Sequence, residues 1–288
     1  MSLRTLAVRS KLLAFALATA LAVSACPPAN DASNGVADVT LPGLDTTDLL
    51  PRERHEWSTY VTEMIAPCPD VAVPIAQCVR ENRPCDKCMP AAKMLLKAVR
   101  DGMSREKVEQ LYRSRYDASQ VKRIDIAGSP SKGPHDAPVV MVEFADFECP
   151  FCATIAPQID QTWEKHKTHV LFVFKLLPLT IHRNSEIAAR AAIAAGAQGK
   201  FWEMHQKLFA MSPKLERRDL DGYAKELGLD MTKFAADFDA PETTQRITAD
   251  RALADSLKIR GTPSLFINGR QYDSRGSLDE WIEAALSK

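Results

Sequence analysis

The chain has 288 residues, in which 37 lysines and arginines are balanced by 37 aspartates and glutamates, and 45% of the residues are hydrophobic. This length allows one or two domains, each with a full hydrophobic core. The formal net charge of zero and the lack of a run of basic residues argue against a nucleic acid as partner.

Residues 1–26 have the pattern of an export signal. Three basic residues precede an apolar run, residues 12–23, that is too short to span a bilayer. The next residues, Val23–Cys26 (VSAC), resemble the bacterial lipobox, in which the cysteine is lipidated and becomes the mature N-terminus. The alternative is an ordinary secretory signal that is cleaved nearby. We expect a protein at the periplasmic face of a bacterial membrane, with a lipid on Cys26 as its anchor.

The number of cysteines agrees with lipidation. The sequence has seven cysteines, and an odd number is unusual for an exported protein. If Cys26 carries a lipid, the other six can form three pairs in an oxidising compartment.

Two segments of different composition follow the signal. Residues 27–49 are rich in Pro, Ala, Asn and Asp, without periodicity, and we expect a tether there. In residues 50–118, apolar side chains such as Leu95, Val99, Val108 and Leu111 recur at helical spacing on either side of a break at Gly102. This pattern predicts a small all-α module, a helical hairpin.

The helical module contains four cysteines, Cys68, Cys78, Cys85 and Cys88. A module of this size commonly needs covalent cross-links, so two structural disulfides that resist mild reductant are the interpretation we favour. Three pairings are possible, and the sequence cannot choose among them.

A second interpretation starts from the segment Cys85–Cys88 (CDKC), which precedes a predicted helix. This segment is faintly similar to the helical CcmH-type thiol reductases of cytochrome c maturation. The resemblance implies a second redox centre that relays electrons to another cysteine pair, although Cys68 and Cys78 are not part of that pattern.

The remaining residues, 121–288, alternate between strand and helix patterns, as in an α/β fold. Strands are predicted at 139–144, 170–177 and 264–268, the last followed by a turn at Asn268-Gly269. Helices are predicted at 187–197, 201–211, 220–227 and 278–286.

A CxxC pair, Cys149 and Cys152, follows the first of these strands and opens a helix. At a helix N-terminus, free N–H groups and the positive end of the helix dipole favour a thiolate. This predicts that Cys149 is the attacking sulfur and that Cys152, one turn further along, resolves the mixed disulfide. A structural disulfide or half of a zinc site is the alternative. We expect no metal and no cofactor.

Three ordered segments carry a family resemblance: Phe144–Cys152 (FADFECPFC), Gly199–His205 (GKFWEMH) and Gly261–Gly269 (GTPSLFING). Together they resemble the DsbA-like branch of the thioredoxin superfamily, from about residue 137 to the C-terminus. The resemblance implies a thioredoxin fold with a helical insertion, at about residues 184–258, within the domain 121–288.

The same resemblance assigns residues around the cysteine pair. Pro263 matches the family's cis-proline, with a trans turn as the alternative. The resemblance implies that Thr262 faces Cys149 and that substrate contacts Thr262, Pro150 and Phe151.

Glu143, six positions before Cys149, matches the family's buried acidic residue, which accepts a proton from the second cysteine. A buried carboxylate needs a partner or a proton, and we expect Lys175 on the next strand to be that partner. An outward-facing ion pair is the alternative.

The sequence departs from oxidase members of the family near the cysteines. Those members often have a histidine in the dipeptide, whereas this chain has Pro150 and Phe151, preceded by Glu148. Both differences should stabilise the thiolate less and make the pair more reducing.

We expect an enzyme that forms or exchanges disulfides in exported proteins. Its substrates would be exported protein thiols and disulfides, and a redox partner in the membrane is compatible with this role. A periplasmic reductase or isomerase is one alternative, and a metal-binding or scaffold protein that uses its cysteine pairs as ligands is another.

Overall fold

The apolar runs that predict strands form the centre of a mixed sheet. In the computed structural model, which describes residues 37–274 and 276–286, the sheet of these residues has five strands in the order β1-β3-β2-β4-β5. They are β1 (Ser131–Lys132), β2 (Val139–Ala145), β3 (Val170–Leu176), β4 (Ser264–Ile267) and β5 (Arg270–Gln271). The strands β2 and β3 are parallel, and the other three pairs are antiparallel. The three predicted strands are therefore confirmed, and the two-residue strands β1 and β5 are additions.

Helices cover both faces of this sheet. The helices after β2 are α5 (Pro150–His166), α6 (Ser185–Ala197), α7 (Phe201–Met211), α8 (Arg217–Glu226), α9 (Met231–Asp239), α10 (Pro241–Ser256) and α11 (Leu278–Leu286). The run from α6 to α10 connects β3 to β4 and corresponds to the helical insertion predicted at about 184–258. This is a thioredoxin-like fold with a helical insertion, as the sequence predicts.

The two faces of the sheet have separate cores because successive side chains of a strand point to opposite sides. On β2, Val142 and Phe144 pack with Leu171, Val173 and the α10 residue Ala254. Residues of the other parity, including Met141 and Ala145, belong to the other core, to which α5, α7 and α11 contribute. This alternation decides where each polar residue of the central strands is placed.

In the described part of the chain, four α-helices precede the sheet, where the sequence predicts a hairpin. They are α1 (Pro51–Glu63), α2 (Ile75–Arg80), α3 (Cys88–Arg100) and α4 (Arg105–Tyr116). The predicted break at Gly102 separates α3 from α4, and Gly102 has a φ of 65° that favours glycine. The prediction of a simple hairpin is wrong, because two further helices belong to the module. Helix α1 packs on α3, and the short α2 is joined to α3 by a disulfide.

The predicted tether is too long at its C-terminal end. Val39, Leu41 and Leu49 are each only 4% exposed, and the backbone N–H of Val39 donates to the Ser58 hydroxyl on α1 at 2.9 Å. Residues 37–49 therefore cover the helical module rather than linking it to a membrane. Three isolated apolar residues show no periodicity, so the sequence did not reveal this packing.

The helical module and the sheet belong to one compact unit that begins at Ala37. Arg115 on α4 donates to the Glu280 carbonyl at 2.6 Å, and Arg270 on β5 donates to the Asp117 carbonyl at 2.6 Å. Among the residues that the structure describes, no helix has the length and apolar character needed to cross a bilayer.

A buried ion pair joins the sheet to α10. Lys175 Nζ lies 3.1 Å from Asp250 Oδ1, and both side chains are at most 5% exposed. Asp250 also accepts a hydrogen bond from the Leu176 backbone N–H. Without Lys175, the buried Asp250 keeps Arg246 Nε, 3.6 Å from its Oδ2, as a more distant cation, so Lys175→Met should lower the free energy of unfolding by about 3 kcal/mol.

This loss can be measured by urea denaturation at pH 7. Lys167→Met is the matched control, because Lys167 is more than half exposed in its pair with Glu164 and its loss should change the stability by less than about 0.5 kcal/mol. Equal stabilities of the two variants would contradict the structural role of the Lys175–Asp250 pair.

Candidate active site

Cys149 and Cys152 lie at the start of the helix that follows the central strand β2. Cys149 is the N-cap of α5, and its carbonyl accepts the backbone N–H of Ala153 at 3.1 Å. Pro150 occupies the first turn, where a missing N–H costs nothing. Cys149 is 3% exposed and Cys152 is fully buried, and neither is in a disulfide. Both sulfurs are therefore buried, with Cys149, at the helix start, slightly nearer to solvent.

The loop before β4 brings a backbone carbonyl to Cys149. The Thr262–Pro263 peptide bond is cis, as the sequence predicts. The Cys149 thiol donates to the Thr262 carbonyl, with 3.5 Å between sulfur and oxygen. The two residues are 113 positions apart, so the fold creates a contact that the family resemblance only implies.

Glu143 is a buried carboxyl group whose charge acts on Cys152. It is 1% exposed, and its Oε1 has no hydrogen-bond partner among the described residues. Burial, and next the negative charge of Asp160, raise the pKa of Glu143 to about 8, whereas Lys132 opposes the shift. Glu143 is therefore mainly protonated at neutral pH.

Cys152 is also in an environment that disfavours its charged form. Burial is the main cause that raises the pKa of its thiol, and the charge of Glu143 adds to the shift. The thiolate of Cys152 and the carboxylate of Glu143 thus disfavour each other. Burial and this mutual repulsion favour a state in which at least one of the two groups holds a proton.

Lys175 is not the partner of Glu143, and this expectation was wrong. In the register of the parallel pair, Lys175 is opposite Phe144 while Glu143 is opposite Phe174. Adjacent positions of a strand face opposite sides of the sheet, so Lys175 points toward α10 and Glu143 toward α5. The side chains of Lys175 and Glu143 therefore lie on opposite faces of the sheet and cannot pair.

The cation that acts on Glu143 is Lys132 on β1, which the sequence did not single out. Its Nζ lies 2.7 Å from Asp160 Oδ1 on α5. It also lies 4.3 Å from the Trp163 ring centroid and 4.6 Å from that of Trp202. The aromatic faces and the carboxylate hold this cation on the Glu143 side of the sheet.

Asp146 and His182 form a second polar group that the sequence did not reveal. Asp146 is 1% exposed, and its Oδ2 is 2.7 Å from His182 Nδ1 and accepts the Leu179 N–H at 2.9 Å. The Asp146 carbonyl accepts the N–H of Cys149 at 3.1 Å. These bonds fix the loop that carries Cys149, and no sequence signal joins residues that are 36 positions apart.

Glu148, the acidic residue before Cys149, accepts hydrogen bonds from Asn184. Its Oε2 accepts the backbone N–H of Asn184, and its Oε1 accepts the side-chain amide of Asn184 at 3.3 Å. Asn184 is the N-cap of α6. The carboxylate is therefore held at the start of α6, where the helix dipole favours a negative charge.

An apolar surface adjoins the pair. Phe151 is 71% exposed, and with Ile155, Thr262, Pro263 and Tyr272 it lines a cavity of about 340 Å³. Exposed phenylalanine beside a backbone that can pair with an extended chain suits a protein substrate.

His205, in the second family segment, has no place in this chemistry. It is 2% exposed and surrounded by the rings of Phe147, Phe174 and Phe209. Burial lowers the pKa of His205 to about 3, so the ring is neutral at physiological pH. It is a packing residue.

The second cysteine group forms two disulfides, Cys68–Cys85 and Cys78–Cys88. The sulfurs of Cys78, Cys85 and Cys88 lie within 4.8 Å of one another, a spacing that could suit a metal. All three are oxidised in the structure and so are not thiolate ligands there. Cys26, the predicted lipidation site, lies outside the described residues.

Comparisons with known proteins agree with this fold. The sequence profile of a family described as Thioredoxin matches residues 125–285. A solved thioredoxin-like oxidoreductase from Silicibacter pomeroyi DSS-3 is 31% identical with a TM-score of 0.50, over 56% of this chain and 91% of that one. Oxidised BdbD from Bacillus subtilis is 26% identical with a TM-score of 0.51, over 57% of this chain and 95% of that one.

A curated relative, the Na(+)/H(+) antiporter NhaA 1 of Salinispora arenicola, is 39% identical over 157 residues, which are 54% of this chain and 24% of the antiporter. The chain thus spans about a quarter of the length of the curated relatives that it matches. The family profile covers more than half of the chain, including Cys149, Cys152 and Pro263. The chain therefore belongs to the thioredoxin family.

Proposed function

We propose that this protein is a thiol-disulfide oxidoreductase that acts on cysteines of exported proteins through Cys149 and Cys152. The observation that carries the proposal is the position of Cys149, at the N-terminus of α5 and 3.5 Å from the Thr262 carbonyl. The similarity to a thioredoxin-like oxidoreductase supports it. A substrate chain beside Thr262 has its sulfur close to Cys149.

In the oxidising direction, a substrate thiolate attacks Cys149 of the Cys149–Cys152 disulfide. A bond forms between the substrate sulfur and Cys149, and Cys152 leaves with the electron pair and takes the proton of Glu143. A second substrate thiolate then attacks the first substrate sulfur and expels Cys149. The substrate loses two electrons, which the cysteine pair holds as the Cys149 thiolate and the Cys152 thiol, and Glu143 is left as a carboxylate. The reducing direction is the reverse, with Glu143 as proton acceptor.

Residues near Cys149 favour a pair that is more reducing than a strong oxidase. The dipeptide Pro150-Phe151 supplies no cation, and the acid immediately before Cys149, Glu148, is tied to Asn184. We expect a potential more negative than about −120 mV, the value of the strongly oxidising DsbA.

A titration with glutathione buffers, followed by alkylation and mass spectrometry of the active-site peptide, measures this potential. A value near about −120 mV would contradict the argument from the dipeptide. Catalysed oxidation of a reduced protein, compared with catalysed reduction of an oxidised one, then separates an oxidase from the reductase or isomerase alternative.

We also propose that the mature protein is held at the periplasmic face of a membrane by a lipid on Cys26. Support comes from the VSAC segment after a short apolar run. Cys26→Ala should move the protein from the membrane fraction to the soluble fraction. The apolar run of residues 12–23 is too short to span the bilayer, so the lipid on Cys26 would be what holds the protein at the membrane.

Ser24→Ala is the matched control, since it keeps a small residue before the cysteine and should leave the protein in the membrane fraction. Immunoblots of separated fractions make the comparison. A wild-type protein found entirely in the soluble fraction would rule out the lipid anchor.

A further inference from the structure

The two disulfides of the helical module are neighbours in space and unequal in exposure. Cys85, from one bond, lies within 4.8 Å of both Cys78 and Cys88, which form the other. These three residues are buried, with Cys85 at 6%, Cys78 at 1% and Cys88 at 2% exposure, whereas Cys68 is only partly buried. A reagent in solution thus meets Cys68 first, and a thiolate released at Cys85 has the second disulfide beside it.

A cavity of about 370 Å³ lies beside the two chain neighbours of Cys68, although Cys68 itself is not among its lining residues. Its lining includes Pro67 and Pro69, which flank Cys68 in the chain, and Lys87, which lies between Cys85 and Cys88. Arg115 and Arg270 line the cavity as well. The cavity is therefore lined by three cationic side chains and by both chain neighbours of Cys68, the most exposed of the four cysteines.

The charges and polar groups of this cavity are incompletely matched by the protein. Its lining, among the described residues, has no aspartate or glutamate, and Asp117 is the acid that acts on Arg270 from outside the lining. The buried Tyr116 hydroxyl and Arg115 Nε have no hydrogen-bond partner in the described part of the chain. A bound anion would satisfy these donors.

We propose that these four cysteines form a second thiol-disulfide exchange centre, which a small anionic thiol of the glutathione class opens at Cys68 from the adjacent cationic cavity. This departs from the sequence-based expectation that the two bonds resist mild reductant, and it does not depend on Cys149 or Cys152. The disulfides still hold α2, α3 and the preceding loop together, but their pairing can change.

The exchange is balanced at each step. The external thiolate attacks Cys68, the Cys68–Cys85 bond breaks, and Cys85 leaves as a thiolate. Cys85 attacks Cys78, and Cys88 leaves, because Cys88 is the first residue of α3, where the helix dipole favours a thiolate. Cys88 then attacks Cys68 and expels the external thiol. The products are Cys78–Cys85 and Cys68–Cys88, with no net oxidation.

The test uses the full chain with Cys149→Ser and Cys152→Ser, so that the active site contributes no thiol. After incubation with reduced glutathione under native conditions and an acid quench with alkylation, trypsin together with a protease that cuts before aspartate separates all four cysteines. We expect the glutathione adduct on Cys68, followed by growth of the Cys78–Cys85 and Cys68–Cys88 peptides. Adducts that form equally on Cys78 or Cys88, or pairs that stay unchanged, would overturn the proposal.

A second comparison tests the role of the cavity. Lys87→Met should make opening by glutathione about threefold slower, the size expected for one partly exposed charge contact, and leave opening by the neutral thiol 2-mercaptoethanol unchanged. Arg83→Met is the control, because Arg83 is exposed, pairs with Glu81 and does not line the cavity. If Lys87→Met slowed opening by glutathione and by 2-mercaptoethanol equally, Lys87 would affect how easily any thiol reaches Cys68. It would then not attract the negative charge of glutathione, and the proposal would be contradicted.

Discussion

Replacing Cys149 with Ser should abolish catalysed disulfide exchange with protein substrates, whereas replacing Cys152 with Ser should trap those substrates on Cys149. Cys149 is the sulfur at the start of α5 and beside the Thr262 carbonyl. Cys152 is fully buried, and burial raises the pKa of its thiol, so it is a poor nucleophile toward an external disulfide. Without Cys152, the mixed disulfide on Cys149 has no internal sulfur to resolve it.

Insulin reduction measures the loss of activity, and non-reducing gels with mass spectrometry identify the trapped adducts. Cys68→Ser is the control from the other cysteine group, and it should leave exchange at Cys149 intact. If the Cys149→Ser variant trapped substrate on Cys152 as readily, the assignment of attacking and resolving sulfurs would be wrong.

Glu143→Gln should change both the stability and the pH profile of the protein. The pKa of Glu143 is about 8 in the folded chain against an ordinary value of 4.5. Below pH 4.5 the carboxyl is protonated in the folded and unfolded states alike, so it carries no penalty. Between pH 4.5 and 8 the unfolded chain releases a proton that the folded chain keeps, and stability falls as pH rises. The full penalty, reached above about pH 8, is about 5 kcal/mol.

The neutral amide introduced by Glu143→Gln has no such titration, so the variant should gain about 5 kcal/mol relative to wild type between about pH 4 and about pH 9. Urea denaturation at several pH values measures the gain. Glu164→Gln changes an exposed carboxylate of α5 and should keep the wild-type pH profile. A wild-type profile in the Glu143→Gln variant would mean that Glu143 is ionised in the folded chain.

The same substitution should slow resolution of the mixed disulfide by about a hundredfold at pH 7, the usual size of a general acid-base contribution. In the wild type, the rate at which Cys152 attacks the mixed disulfide should rise with pH and level off above about pH 8, as Glu143 becomes the carboxylate that accepts the proton. This rise should be absent from the Glu143→Gln variant. Rapid-mixing kinetics of a preformed mixed disulfide on Cys149 separates this step from substrate binding.

The sequence predicted the features that depend on a few consecutive residues. The strands β2 and β3 are apolar runs, and the turn at Asn268 and Gly269, with φ of 47° and 76°, follows from two residues that tolerate positive φ. The position of Cys149 at the start of α5 and the cis bond before Pro263 came from short motifs, the second through the family resemblance. In each of these cases the controlling interactions lie within about one turn or one strand.

Contacts between distant residues were decided by the tertiary structure. Strand parity separates Lys175 from Glu143, and the two-residue strand β1, too short to show a pattern, supplies Lys132 in its place. The pairing of the cysteines depends on how the loops before α2 and α3 meet. The bond between Asp146 and His182 depends on the crossing of two loops at the ends of β2 and β3. Periodicity specifies which face of an element is apolar, but only packing in three dimensions decides which polar groups meet across it.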